Sequence, residues 1–152
     1  MSVIAVESQI SIFLRKYTPA VEAQLREART RLRAMFPRGF ELVYDNYNAL
    51  VFGISQLSGH PTRLFPWPAI QGGSRSSSST AQTYTAHCVL EGQGKQVRSI
   101  RLTEPKDINT PEVEALIAQA VLPYESAFLA APSLSTIVKS VSAKQRPRRP
   151  RK

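Results

Sequence analysis

A single cysteine, Cys88, excludes an internal disulfide and fits a reducing compartment. Only two histidines, His60 and His87, accompany it. A structural zinc needs about four ligands at ordered spacing, so these three residues do not make one. No Asp or Glu follows Glu125. No apolar run is long enough to cross a bilayer, and no cationic segment followed by an apolar one opens the chain. The expectation is a cytoplasmic protein with no membrane contact.

What is present fits one domain. A chain of 152 residues with 42% hydrophobic residues can bury a core and is too apolar to be wholly disordered. The net charge of +9 is unevenly placed. After Glu125 come seven cations, Lys139, Lys144, Arg146, Arg148, Arg149, Arg151 and Lys152, and removing them leaves +2 for the rest. The basic character therefore belongs mainly to a tail.

Hydrophobic spacing predicts the elements. Ile10, Phe13, Leu14 and Tyr17 form one face of a short helix ending near Tyr17. Thr18-Pro19 supplies an N-cap and a first-turn proline for a second helix over 19–36. Its apolar seam is Val21, Leu25, Ala28, Leu32 and Met35; its other faces carry Glu22, Arg26, Glu27, Arg29, Arg31 and Arg33, read as a solvated surface with local Glu–Arg pairs. Pro37-Arg38-Gly39 ends that helix, and strands are predicted at 40–45 and 48–53 around the turn-prone Asp45, Asn46 and Asn48. Further on, 95–102 and 136–141 read as strands. Thr110-Pro111 followed by Val113, Leu116, Ile117, Ala120 and Val121 predicts a helix over 111–122. Val21, Leu25, Leu32, Leu42, Leu50, Phe52, Leu116 and Ile117 are expected to be largely buried.

Between these blocks the pattern lapses. Residues 55–88 contain Pro61, Pro66, Pro68, Gly72-Gly73 and a serine run from Ser76 to Ser79. No period of 2 or 3.6 survives there, so the segment is expected to be irregular.

Three stretches resemble the YdhG-like family, a bacterial family of domains of unknown function. They are Tyr44-Asp45-Asn46-Tyr47-Asn48-Ala49-Leu50-Val51, Gly94-Lys95-Gln96-Val97-Arg98-Ser99-Ile100-Arg101-Leu102 and Ser140-Val141-Ser142-Ala143-Lys144-Gln145-Arg146-Pro147-Arg148-Arg149. The resemblance covers 8–53 and 90–149. It implies an α+β fold, helices packed on one antiparallel sheet. It also implies two further strands between the matching blocks, with a Tyr-Pro-Arg-Trp-Val-like stretch and an apolar run, and this chain has neither. The genetic code offers a reason. Read in the frame that joins the last base of each codon to the next two, serines written TCN become NTC, which encodes only Phe, Leu, Ile or Val. In that frame Gln71-Gly72-Gly73 permits Arg then Trp, and Ser76 to Ser79 become an apolar strand. Two compensating frameshifts, near Gly53–Ile54 and Val89–Glu91, are therefore expected to separate residues 54–89 from the family, leaving its central strands missing or disordered. The domain boundaries that follow are 1–143 for a single α+β domain, with 54–89 irregular, and 144–152 for a disordered basic tail.

Catalytic constellations do not assemble from this sequence. Gly92-Gln93-Gly94-Lys95 fails as a phosphate loop, because Val89 stands at the first glycine position and Gln96 where Ser or Thr must meet magnesium. Cys88 has no partner base. The expectation is no enzyme, no cofactor and no metal site. The best polar cluster is Tyr44, Asp45, Asn46, Tyr47 and Asn48, where rings supply rigid area and amides supply orientation for an unidentified ligand. Three functions are compatible: a non-catalytic binding module; an iron chaperone resembling frataxin in function, which the family resemblance implies; and weak, non-specific polyanion or nucleic-acid contact through Lys144, Arg146, Arg148, Arg149, Arg151 and Lys152. Iron delivery would need grouped carboxylates, and Glu41, Asp45, Glu91, Glu104, Asp107, Glu112 and Glu114 are scattered along the chain.

Overall fold

The computed structural model describes residues 2–47, 49–57, 69–73, 84–90, 96–102, 105–145 and 147, with side chains described for 2–47, 49–57, 106–145 and 147. Helix α1 spans Val3–Leu14, with the Ser2 hydroxyl accepting a hydrogen bond from the Ala5 N–H at 3.3 Å. It begins earlier than the periodicity predicts. Val3 and Ile4 are 79% and 81% exposed, so they hide the amphipathic pattern of the first turn. Helix α2 spans Pro19–Met35, with Pro19 in its first turn. Strands β1 (Phe40–Asp45) and β2 (Ala49–Ser55) follow, then β3 (Ala69–Gly73), β4 (Tyr84–Leu90) and β5 (Gln96–Leu102). A 3-10 turn at Pro105–Asn109 leads into α3 (Pro111–Val121). Another at Leu122–Tyr124 leads into α4 (Glu125–Ala130), and β6 (Ser135–Val141) closes the fold.

The class is α+β, as expected. The sheet has six strands in the order β5-β4-β3-β2-β1-β6. It is mixed rather than purely antiparallel, because β6 pairs with β1 in parallel, with a bulge between Val43 and Tyr44. The chain leaves the sheet at the β5 edge and returns through α3 and α4 to the opposite edge. A connection that long imposes no hairpin direction, so nothing local in the sequence marks the parallel pairing. The expectation of central strands missing from 54–89 also needs correction: β3 lies within that segment and β4 begins in it and runs to Leu90, β3 pairing with both β2 and β4. Ladder hydrogen bonds come from the main chain, so an extended backbone can pair between β2 and β4 even where its side chains carry no strand pattern.

One face of β1 and β2 carries the main core. Ile10, Phe13 and Leu14 of α1, Tyr17, and Leu25, Ala28 and Leu32 of α2 pack with Val43, Leu50, Phe52 and Ile54; Val113, Ile117 and Ala120 of α3 and Phe128 of α4 belong to the same cluster. Of the residues expected in the core, Val21 and Leu116 are only partly buried and the others are buried. On the opposite face Leu42, Tyr44 and Val51 form a second buried cluster. Alternation along β1 therefore places Glu41, Val43 and Asp45 toward the helices. The helical run Pro111–Ala130 is long and apolar enough, by length and composition alone, to cross a membrane. It is broken by the turn at Leu122–Tyr124, and Val113, Ile117, Ala120 and Phe128 face the core.

Gly39 turns the chain from α2 into β1 at φ +114°, where a Cβ would lie 2.8 Å from the Ser55 carbonyl oxygen and 3.2 Å from the Phe128 ring. Gly39→Ala combines a left-handed backbone with a clash against main chain, and is expected to cost about 2–4 kcal/mol in urea unfolding. A loss below about 0.5 kcal/mol would contradict this packing.

Candidate functional site

The chemistry-bearing side chains gather between α1, α2 and β1. Arg29 lies four residues after Leu25 and three before Leu32, beside the apolar seam of α2, and so turns toward the sheet. It is 8% exposed. Its Nε and Nη2 donate to the Glu41 carboxylate at 2.8–3.2 Å, and Glu41 is completely buried. Its outer edge forms a second fork: Nη1 donates to Glu7 Oε2 at 2.9 Å and Nη2 to Glu7 Oε1 at 2.7 Å. Arg33 Nη1 donates to Glu41 Oε1 at 2.7 Å and to Thr136 Oγ1 at 2.7 Å, and the Thr136 hydroxyl donates to Glu41 Oε1 at 2.8 Å. Thr136 reaches that carboxylate because the parallel register of β1 and β6 sets it beside Glu41. The Arg29 guanidinium also stacks 5.4 Å from the centre of the Phe52 ring, a cation–π contact from below.

Above this network opens a cleft of about 440 Å³ lined by Glu7, Arg26, Arg29, Thr30 and Arg33. Its size is that of a small-ligand site, although its lining is charged where most such sites are apolar. Arg26 and Arg31 make the expected local pairs with Glu22 and Glu27 on the surface of α2. Arg29 and Arg33 do not. They join the buried Glu41 network, although helical spacing alone assigned them to solvent. The available signal was the position of Arg29 beside the seam, together with Glu41 standing in phase with Val43.

Electrostatics follow the geometry. Burial pulls the Arg29 pKa down, but hydrogen bonds and charge from Glu7 and Glu41 outweigh it and hold the pKa above the ordinary arginine value. The hydrogen bond from Arg29 lowers the Glu7 pKa below the usual carboxylate range; partial burial opposes this, and the charges of Arg29, Arg33 and Arg26 reinforce it. A carboxyl with a lowered folded-state pKa stabilises the fold above its unfolded pKa and loses that contribution as pH falls through the folded value. The stability difference between wild type and Glu7→Gln is therefore expected to be constant near neutrality and to shrink on acidification below about pH 4.5. A difference independent of pH down to about 3 would remove Glu7 from the ion pair.

A second buried ion pair sits at the other end of β1. Asp45 is fully buried, and Lys16 Nζ approaches its Oδ2 at 2.5 Å. The Gln145 side chain closes the group: its Nε2 donates to Asp45 Oδ2 at 2.9 Å and to the Asp45 carbonyl at 3.2 Å, while its Oε1 accepts from Lys16 Nζ at 2.6 Å. The segment after β6 is thus tied back to the β1–β2 turn, and the Ser142 N–H adds a bond to the Asp45 carbonyl at 2.8 Å.

The polar cluster expected at 44–48 does not converge on one surface. Tyr44 is buried with Leu42 and Val51 on the face away from α1 and α2, and burial raises its pKa. Asp45 points to the opposite face and is committed to Lys16 and Gln145. The Asn46 N–H closes the turn on the Ala49 carbonyl, and Tyr47 is exposed. Strand alternation, which turn chemistry in the sequence does not reveal, separates Tyr44 from Asp45. Asn48 lies outside the described residues, as do Arg146, Arg148, Arg149, Arg151 and Lys152 of the tail; Lys144 is exposed. His60 and the Gly92–Lys95 segment also lie outside them, and His87 and Cys88 are described in backbone only. Among the described residues no group of three or more His, Cys, Asp and Glu is placed to hold a metal ion.

Fold and site together define an α+β domain whose helices are held to the sheet by two buried ion-pair groups, with an arginine-lined cleft above one of them. No family model, no curated protein and no solved structure matches the chain.

Proposed function

We propose that this chain is a YdhG-like binding domain without catalysis of its own, and that its binding site is the arginine cleft of α2, which takes an anionic small molecule. One observation carries the reading. Three arginines line the cleft, Arg29 held from beneath by Glu41 and at its outer edge by Glu7, Arg26 paired with Glu22 and Arg33 with Glu41, so an incoming anion would compete with these carboxylates for the guanidinium hydrogen bonds. Guanidinium forks of this kind recognise carboxylate and phosphate oxygens. The same commitment weighs against iron delivery, since Glu7, Glu22, Glu27, Glu41 and Asp45 already have cationic partners.

The test is a titration of the full chain with sodium succinate and with inorganic phosphate, at constant ionic strength, following the arginine Nε–H signals by NMR. Saturable shifts at Arg29 that weaken in Arg26→Gln are expected. Signals unmoved by either anion would overturn the reading.

The tail offers a second reading, favoured by the way Gln145 anchors it. Gln145 is tied to Asp45 and Lys16, so the chain is fixed beside the β1–β2 turn just before the tail arginines of the sequence. A truncation that tests polyanion contact must therefore end after Gln145, so that the Asp45 group stays intact.

A further inference from the structure

We infer that Glu7 is an internal stand-in for the ligand, and that the cleft's true occupant carries a carboxylate which displaces Glu7 from the outer edge of Arg29. The inference rests on the anion-binding reading above.

The two carboxylates on Arg29 are not equivalent. Glu41 is fully buried and is held by Arg29, Arg33 and Thr136, so it forms the floor of the site. The Glu7 side chain is 45% exposed, and both of its described hydrogen bonds go to the two terminal nitrogens of Arg29. That end-on, two-oxygen geometry is the one an incoming carboxylate would adopt. Glu7 lines the same cleft as Arg26, Thr30 and Arg33, so it occupies the seat rather than closing it from outside.

Leaving the seat breaks the pair with Arg29 but does not require α1 to move. Helix α1 is anchored by Val6, Ile10, Phe13 and Leu14, all buried, so the side chain can rotate toward solvent without undocking the helix. The orientation of Arg29 does not depend on Glu7, because Glu41 holds its Nε edge. With Glu7 turned away, a preoriented fork faces the cleft, and Arg26 lies within the same lining, where a second anionic group would compete with Glu22 for it. A dicarboxylate fits this arrangement better than phosphate. The planar oxygen pair it must replace is itself a carboxylate.

The test compares succinate and inorganic phosphate affinities of wild type, Glu7→Gln and Glu7→Gln/Arg26→Gln, with circular dichroism confirming the fold of each. Removing the competing charge is expected to tighten succinate binding roughly tenfold, with a smaller gain for phosphate, as loss of a partly buried charge-assisted pair implies. The double variant is expected to lose most of that gain. Equal succinate affinity in wild type and Glu7→Gln would overturn the stand-in role while leaving the anion site in place. Tighter phosphate than succinate binding in Glu7→Gln would overturn the carboxylate class. No binding of either anion by any of the three would overturn the anion reading itself.

Discussion

Replacing Glu41 with alanine is expected to lower the free energy of unfolding by about 3–5 kcal/mol, the typical cost of removing one partner from a buried ion pair. The carboxylate has no exposure and accepts from Arg29, Arg33 and Thr136. Without it, the inner edge of Arg29 faces the apolar layer of Phe52 with no acceptor, and Arg33 keeps only Thr136 of its described partners. The cost arises from this uncompensated burial rather than from the strength of the pair. Two contrasts separate the buried network from an ordinary surface pair. Glu27→Ala removes an exposed partner of Arg31 and is expected to cost no more than about 1 kcal/mol. Arg29→Leu combined with Glu41→Leu is expected to lose less than the sum of the two single variants, because the second change removes the orphan left by the first. Urea unfolding with an unchanged m-value measures all five variants. A Glu41→Ala loss below about 1 kcal/mol would mean that water reaches the network.

The second large effect concerns β3. Its register sets Ile70 opposite Phe52 and Gly72 opposite Leu50, so positions 70 and 72 belong to the helix-facing layer of the sheet. Gly72 brings no side chain to that layer, and Gly73 follows it at the strand's end. The shifted reading frame would permit Trp at this point and an apolar run after it. We propose that the chain with this frame restored between Gly53 and Glu91 melts about 5–10 °C higher, from about 2–3 kcal/mol of lost glycine entropy cost and gained apolar burial. A smaller probe, Gly72→Val, is expected to give about 1 kcal/mol of the gain. An unchanged or lower melting temperature for the restored chain would sink the frameshift proposal, as would a gene whose nucleotides do not permit the alternative reading.

The α2 and α3 boundaries, the β1–β2 hairpin and most of the core were legible in the sequence, because local periodicity and proline and glycine signals report on one element at a time. Leu25, Leu32 and Ile117 are buried where helical spacing put them. Three things were decided only by the tertiary structure. The parallel pairing of β6 with β1 depends on how a long connection returns to the sheet. The strands β3 and β4 depend on main-chain pairing between neighbours, which leaves no side-chain pattern. The site depends on three elements meeting: Glu7 from α1, Arg29 and Arg33 from α2, and Glu41 from β1. Each of these residues, read alone, is a charge on an amphipathic surface. Burial turns them into one network, and burial is a property of the packed layers, which local spacing does not encode.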